Sequence, residues 1–227
     1  MRLYFRASSV AQVSPTFPAG WTNTTGASRN LASQERSSSD TLANGTARTW
    51  TSGDMRLDRF YITGPMPAGI VLTGTTVTAY LRPFESNADD NAVPAFSLHV
   101  FSEDGATERI ELLAVDSWAG AELATTTTNR NYVAGEELPT YVTVHGDRLA
   151  FGIGFTDAGG ASPSATGVYG SSAATDVAAN EVGTDAFNPW IEFSAALSFT
   201  MPGAVTPEPL TPAAWTPAAW TPTGWGQ

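Results

Sequence analysis

The chain has 227 residues, 42% of them apolar and including 11 Phe, 7 Trp and 6 Tyr, enough for one large core and too much apolar material for a disordered chain. A formal charge of −11, from 22 acidic against 11 basic residues, sets the surface against phosphate backbones and disfavours nucleic acid as a partner. Cysteine and lysine are both absent, which excludes disulfides, thiolate nucleophiles, Schiff bases and Walker-type phosphate sites together.

In chain order, Leu3 and Phe5 alternate with Tyr4 and Arg6, which predicts a short strand at a sheet edge. From Ser14 to Asp54 the sequence is polar, with Trp21 and Trp50 as its large apolar anchors. A loop of that length is uncommon, so short strands are expected inside it, around Thr46 to Thr51. Leu57 to Thr63 sets Phe60 and Ile62 against Arg59 and Tyr61, and Ile70 to Phe84 places Val77, Ala79 and Leu81 on one face.

Two hairpins follow. Ala95 to Ser102 and Thr107 to Val115 flank Asp104-Gly105, a type I′ signal with positive φ at both central residues. Thr140 to Val144 and Arg148 to Phe155 flank Gly146-Asp147, which suits a type II′ turn. In the second of these strands Leu149, Phe151, Ile153 and Phe155 face inward, and the opposite face offers only Ala150, Gly152 and Gly154. Such a flat face is expected to carry a loop or strand laid close upon it, with a ligand groove as the alternative. Residues Asp157 to Thr184 read as a Gly-, Ala- and Ser-rich excursion, and no window holds a helical period. Asp185 to Thr200 shows the strongest alternation, with Ile191, Phe193, Ala195, Leu197 and Phe199 on one face, and predicts a long central strand. These elements predict an all-β protein, an antiparallel sandwich.

No motif specifies a reaction. His99 and His145 lack acidic neighbours at metal-motif spacing, and no G-x-S-x-G elbow occurs. Glu85, Asn87, Asp89, Asp90 and Asn91 form an oxygen-rich cluster without EF-hand spacing. No cofactor, metal or catalytic residue is expected. No apolar run approaches the ~20 residues that span a bilayer, and Met1 leads into strand-like sequence, so a soluble product made in the cytoplasm and not inserted in a membrane is expected.

Beyond Phe199 the sequence becomes a five-residue repeat, TPAAW, TPAAW, TPTGW. Pro212, Pro217 and Pro222 exclude helix and favour polyproline II, and Trp215, Trp220 and Trp225 then fall ~15 Å apart on different sides of the axis. The expected division is a β domain over residues 1–203 and an extended arm over 204–227 that orders against neighbouring subunits.

The LYFR strand, SPTFPAGW from Ser14 to Trp21, GDRLAFGIG from Gly146 to Gly154 and the closing NPWIEFSAALSF resemble a β-sandwich domain of tailed-bacteriophage virion proteins, the minor tail or head-surface proteins. The resemblance covers residues 2–200. It implies a jelly-roll-like sandwich, a place in the virion and no catalytic residues; the expected partners are other phage virion proteins and further copies of the chain in a homo-oligomer. The alternative is a lectin-like module that binds a host-surface glycan through exposed aromatics such as Trp21, Trp50, Trp118 or Tyr132.

Overall fold

The computed structural model describes residues 1–7, 9–35, 43–118, 121–159, 162–170, 175–177 and 188–199. The repeat arm, with Trp215, Trp220, Trp225, Pro212, Pro217 and Pro222, lies outside the described residues, as does the predicted boundary at 203/204. Among the described residues every regular element is a strand, and none is a helix. The strands are β1 (Arg2–Phe5), β2 (Ser28–Ser33), β3 (Ala43–Asn44), β4 (Arg48–Thr49), β5 (Arg56–Ile62), β6 (Thr76–Leu81) and β7 (Phe84–Glu85), then β8 (Ala92–Phe101), β9 (Glu108–Asp116), β10 (Arg130–Glu137), β11 (Arg148–Asp157), β12 (Ser164–Thr166), β13 (Val168–Tyr169) and β14 (Trp190–Phe193).

Nine of these form one sheet in the order β10-β6-β14-β1-β2-β5-β11-β8-β9. It is mixed, which corrects the expectation of a purely antiparallel arrangement. Ser28 to Leu31 of β2 run parallel to Arg59 to Ile62 of β5. Parallel pairing needs a long crossover, and the chain between these strands supplies one, with β4 pairing to β12 and β3 to β13 along the way. The polar stretch between Ser14 and Asp54 therefore hides strands, as its length requires, including β4 inside the predicted window.

The sheet curls until β10, at one end, lies against β8, next to the other end. Its concave face holds the main core, including Leu3, Phe5, Val77, Ala79, Leu81, Leu98, Ile153, Ile191 and Phe193. At its centre Phe151 stacks on Tyr61 with ring centroids 5.8 Å apart, and on Phe96 at 6.4 Å. The inward residues of β6, β11 and β14 are those that alternation assigns. In β5 both faces are buried: Tyr61 belongs to the concave core, while Phe60 and Ile62 belong to a second cluster on the convex side.

That second cluster is roofed by the segment before β2. Trp21, Phe17, Val13 and Ala11 lie over Phe60, Ile62, Ala95, Phe101 and Ala150. The indole of Trp21 rests on the glycine face of β11: a Cβ at Gly152 would stand 2.5 Å from its Nε1, and one at Gly154 2.7 Å from its Cζ3. The indole N–H donates to Ser97 Oγ at 2.9 Å. The flat face is a seat for a loop, as the missing side chains imply.

Two expectations about the strands are corrected. β1 is central, with β14 on one side and β2 on the other, because Leu3 and Phe5 must reach the deepest core. β14 is only four residues long, although Leu197 continues its core face beyond the ladder. The ladder stops where Ser194 and Thr76 exchange a backbone and a side-chain bond instead, Ser194 N–H to Thr76 O at 3.0 Å and Thr76 N–H to Ser194 Oγ at 2.8 Å.

The turns also differ. β8 and β9 do form a hairpin, but Gly105 alone takes positive φ, 75°, and its N–H donates to Ser102 O at 2.9 Å. Asp104 instead accepts from Ser102 Oγ and the Ala106 N–H, which fixes an ordinary type I turn followed by a left-handed glycine. The predicted second hairpin does not form. Residues Tyr141 and Thr143 bond to Leu72, Gly69 and Ile70, and Gly146, φ 87°, sits third in a turn closed by Asp147 N–H to Val144 O at 3.1 Å. Asp147 sets that choice by accepting from Tyr141 Oη at 2.6 Å and Val144 N–H at 2.8 Å.

Candidate functional site

The polar groups of interest gather where β4, β5 and β13 meet. In the pairing of β5 with β11, Arg59 faces Ile153 and Leu57 faces Gly154, so Asp58 is the extra residue of a β-bulge. The bulge turns Asp58 into the protein, 1% exposed. There it accepts from Arg48 Nε at 2.6 Å and from Tyr169 Oη at 2.6 Å. The Arg59 guanidinium lies 3.9 Å over the Tyr169 ring and donates to the Ala7 carbonyl at 3.0 Å. Burial, and then the Asp58 charge, hold the Tyr169 hydroxyl well above the usual tyrosine range, so it stays a donor.

Beside this cluster is a cleft of ≈ 380 Å³ lined by Asn23, Thr25, Gly26, Arg48, Thr49 and Arg56. Arg56 is 4% exposed and donates to Asn23 Oδ1 and the Thr25 carbonyl. Arg48, already paired with Asp58, also donates to the Gly26 carbonyl at 2.8 Å. Burial, and then the neighbouring Arg48 charge, lower the Arg56 pKa below its ordinary value.

On the convex side, His99 is fully buried on β8 beside Phe60 and Phe101, with Nδ1 2.9 Å from Glu108 Oε1. Glu111 faces His99 across the hairpin, and the three could offer ligand atoms within 4.8 Å of one another. The donor set suits a divalent cation, but the fit fails at its second layer: a ligating imidazole ordinarily gives its other N–H to an acceptor, and Nε2 of His99 is buried with none. The His99–Glu108 contact ties the two strands of the hairpin together. Burial lowers the His99 pKa, against the smaller opposing pull of Glu108, so the ring is neutral at pH 7.

Other carboxylates close loops. Asp157 accepts from Ser52 Oγ at 2.7 Å, the N–H groups of Gly53 and Gly159 at 2.9 Å, and Trp50 Nε1 at 3.2 Å. In the oxygen-rich cluster Glu85 accepts from Ala92 N–H at 3.1 Å and Asp90 from Asn87 N–H at 2.9 Å. Those oxygens point at the backbone of their own loop.

The aromatics expected to present a ligand surface are placed differently. Trp21, Trp50 and Tyr132 are 3%, 5% and 0% exposed, so none offers a face for a sugar. Each is drawn inward by an apolar surface that needs a cover: the glycine face for Trp21, Phe155 for Trp50 at 5.9 Å, and the concave core for Tyr132. Trp118 is half-buried, and its N–H is held by the Ala114 and Phe96 carbonyls at 3.0 and 3.2 Å. Arg48, Arg56 and Asp58 escape a motif search because their meeting depends on a bulge and a crossover. The one local signal is the charged group Arg56, Asp58 and Arg59 in the first half of β5.

Comparison with protein-family models and with curated protein sequences gives no match to this chain.

Proposed function

We propose that the chain is a non-enzymatic structural protein of a bacteriophage particle, a tail or capsid-surface component. In this reading the curled sheet is a jelly-roll-like sandwich displayed on the virion, and the Thr-Pro/Trp arm joins it to neighbouring subunits as a homo-oligomer among other virion proteins. The observation that carries it is the use made of charged groups: Asp157, Asp58, Asp147, Glu85 and Asp90 each bind the chain to itself at a loop, bulge or turn. A molecule that spends its carboxylates on holding loops closed is built as a scaffold. The resemblance of the sequence landmarks to virion sandwich domains suggests the setting, which fold alone would not supply. Electron micrographs of particles labelled with an antibody against this chain are expected to show discrete label on head or tail. Purified particles free of the chain would overturn the assignment.

A second reading, a glycan-binding module, is favoured by the hydroxyl- and amide-lined cleft at Arg48 and Arg56 rather than by the aromatics. A glycan array separates the two, since a pure scaffold binds no saccharide on it.

A further inference from the structure

Arg56 is nearly completely buried, yet among the described residues no carboxylate comes within ion-pair distance of it. Its two terminal nitrogens are bonded to neutral acceptors, Asn23 Oδ1 and the Thr25 carbonyl, and its Nε is buried without any partner. Removing a guanidinium from water without a counter-charge is costly, and the usual remedy is an anion. Arg48 brings a second positive charge to the same cleft, while Asp58 neutralises one of the two. Asp54 acts on Arg56 only at longer range and is itself held by Thr22 Oγ1 and Asn23 Nδ2.

The cleft also has room made for it. Gly26 has φ 72°, and a Cβ there would stand 2.8 Å from Arg48 Nη1, so the missing side chain lets that guanidinium lie in the cleft wall. Arg48 uses Nε and Nη2 within the protein, and no protein acceptor takes Nη1 among the described residues. Planar N–H groups of this kind match carboxylate and phosphate oxygens. The remaining wall, Thr25, Thr49 and Asn23, offers hydroxyl and amide groups, and ≈ 380 Å³ admits a monosaccharide.

We infer that this cleft is an oxyanion site whose ligand is the carboxylate of an acidic sugar, held by Arg48 and the electrostatic field of Arg56. The inference deepens the glycan-binding reading and is independent of a place in the virion. The test is calorimetric titration of the full chain with glucuronate, glucose and inorganic phosphate at matched ionic strength. Glucuronate is expected to bind and glucose not to. Arg48→Gln should weaken glucuronate about tenfold or more, the loss of a charge-assisted bond. Because Arg48 also braces Asp58, Thr49→Val serves as a second variant that leaves that ion pair intact, and it too should weaken glucuronate. Equal binding of glucuronate and glucose, or unchanged affinity in both variants, overturns the site. Phosphate binding in preference to glucuronate overturns the sugar assignment. Array binding of neutral glycans that survives Arg48→Gln would sink this inference while leaving the glycan-binding reading standing.

Discussion

Gly152 and Gly154 show how one absent atom fixes a layer of the molecule. At Gly152 a methyl group would meet the Trp21 indole and Ser97 Oγ, whereas at Gly154 it would also meet the backbone of Arg56, which has no alternative rotamer. Both Gly→Ala changes should therefore destabilise by about 1 to 3 kcal/mol through overpacking, with Gly154→Ala the worse. Negligible shifts in denaturation midpoint would show that Trp21 is not seated there. His99 supplies a pH effect. Its folded pKa lies below the unfolded value of about 6.5, so the unfolded chain binds the proton more readily and stability falls as pH drops through and below ~6.5. Glu85, whose pKa is raised by burial, acts with the opposite sign over the lower part of that range. The comparison is thus made between wild type and His99→Gln: urea midpoints at pH 7.5 and 5.5 should differ less in the variant. An identical pH dependence would place the His99 ring in water.

At the scale of elements, β14 is the strand whose register the core depends upon. Phe193→Ala is expected to cost about 3 to 5 kcal/mol, the range for a buried aromatic truncated in a packed core. A cost below about 1 kcal/mol would put Phe193 outside the core. The alternation of β6, β11 and β14 is legible in sequence because a period of two is local and each strand has one face in the concave core. β2 is not legible in the same way. SRNLAS is mostly polar, and its place is set by parallel pairing to β5 across a crossover that leaves no local trace. Turn chemistry was half legible: Asp104-Gly105 marks a hairpin, but the Asp104 carboxylate, bonded to its own turn, selects a different turn type. The candidate site was least legible. Arg48, Arg56 and Asp58 come from two strands and one bulge, and nothing in their spacing announces that they meet.

For the whole molecule, the two end strands of the sheet, β9 and β10, bear on how it assembles. β9 carries Glu108, Arg109, Glu111 and Asp116 and slips register against β8, and β10 carries bulges and a left-handed Gly135. Charges and bulges on edge strands oppose pairing with another sheet edge. Subunits of this protein are therefore not expected to join by extending the sheet, which leaves the Thr-Pro/Trp arm as the proposed connector. The direct measurement is the occupancy, in assembled particles, of a chain truncated after Gly203 beside the full chain. The truncated protein is expected to keep the β-sheet circular dichroism and denaturation midpoint of the parent yet to be missing from particles. Truncated protein found in particles at full occupancy would contradict it.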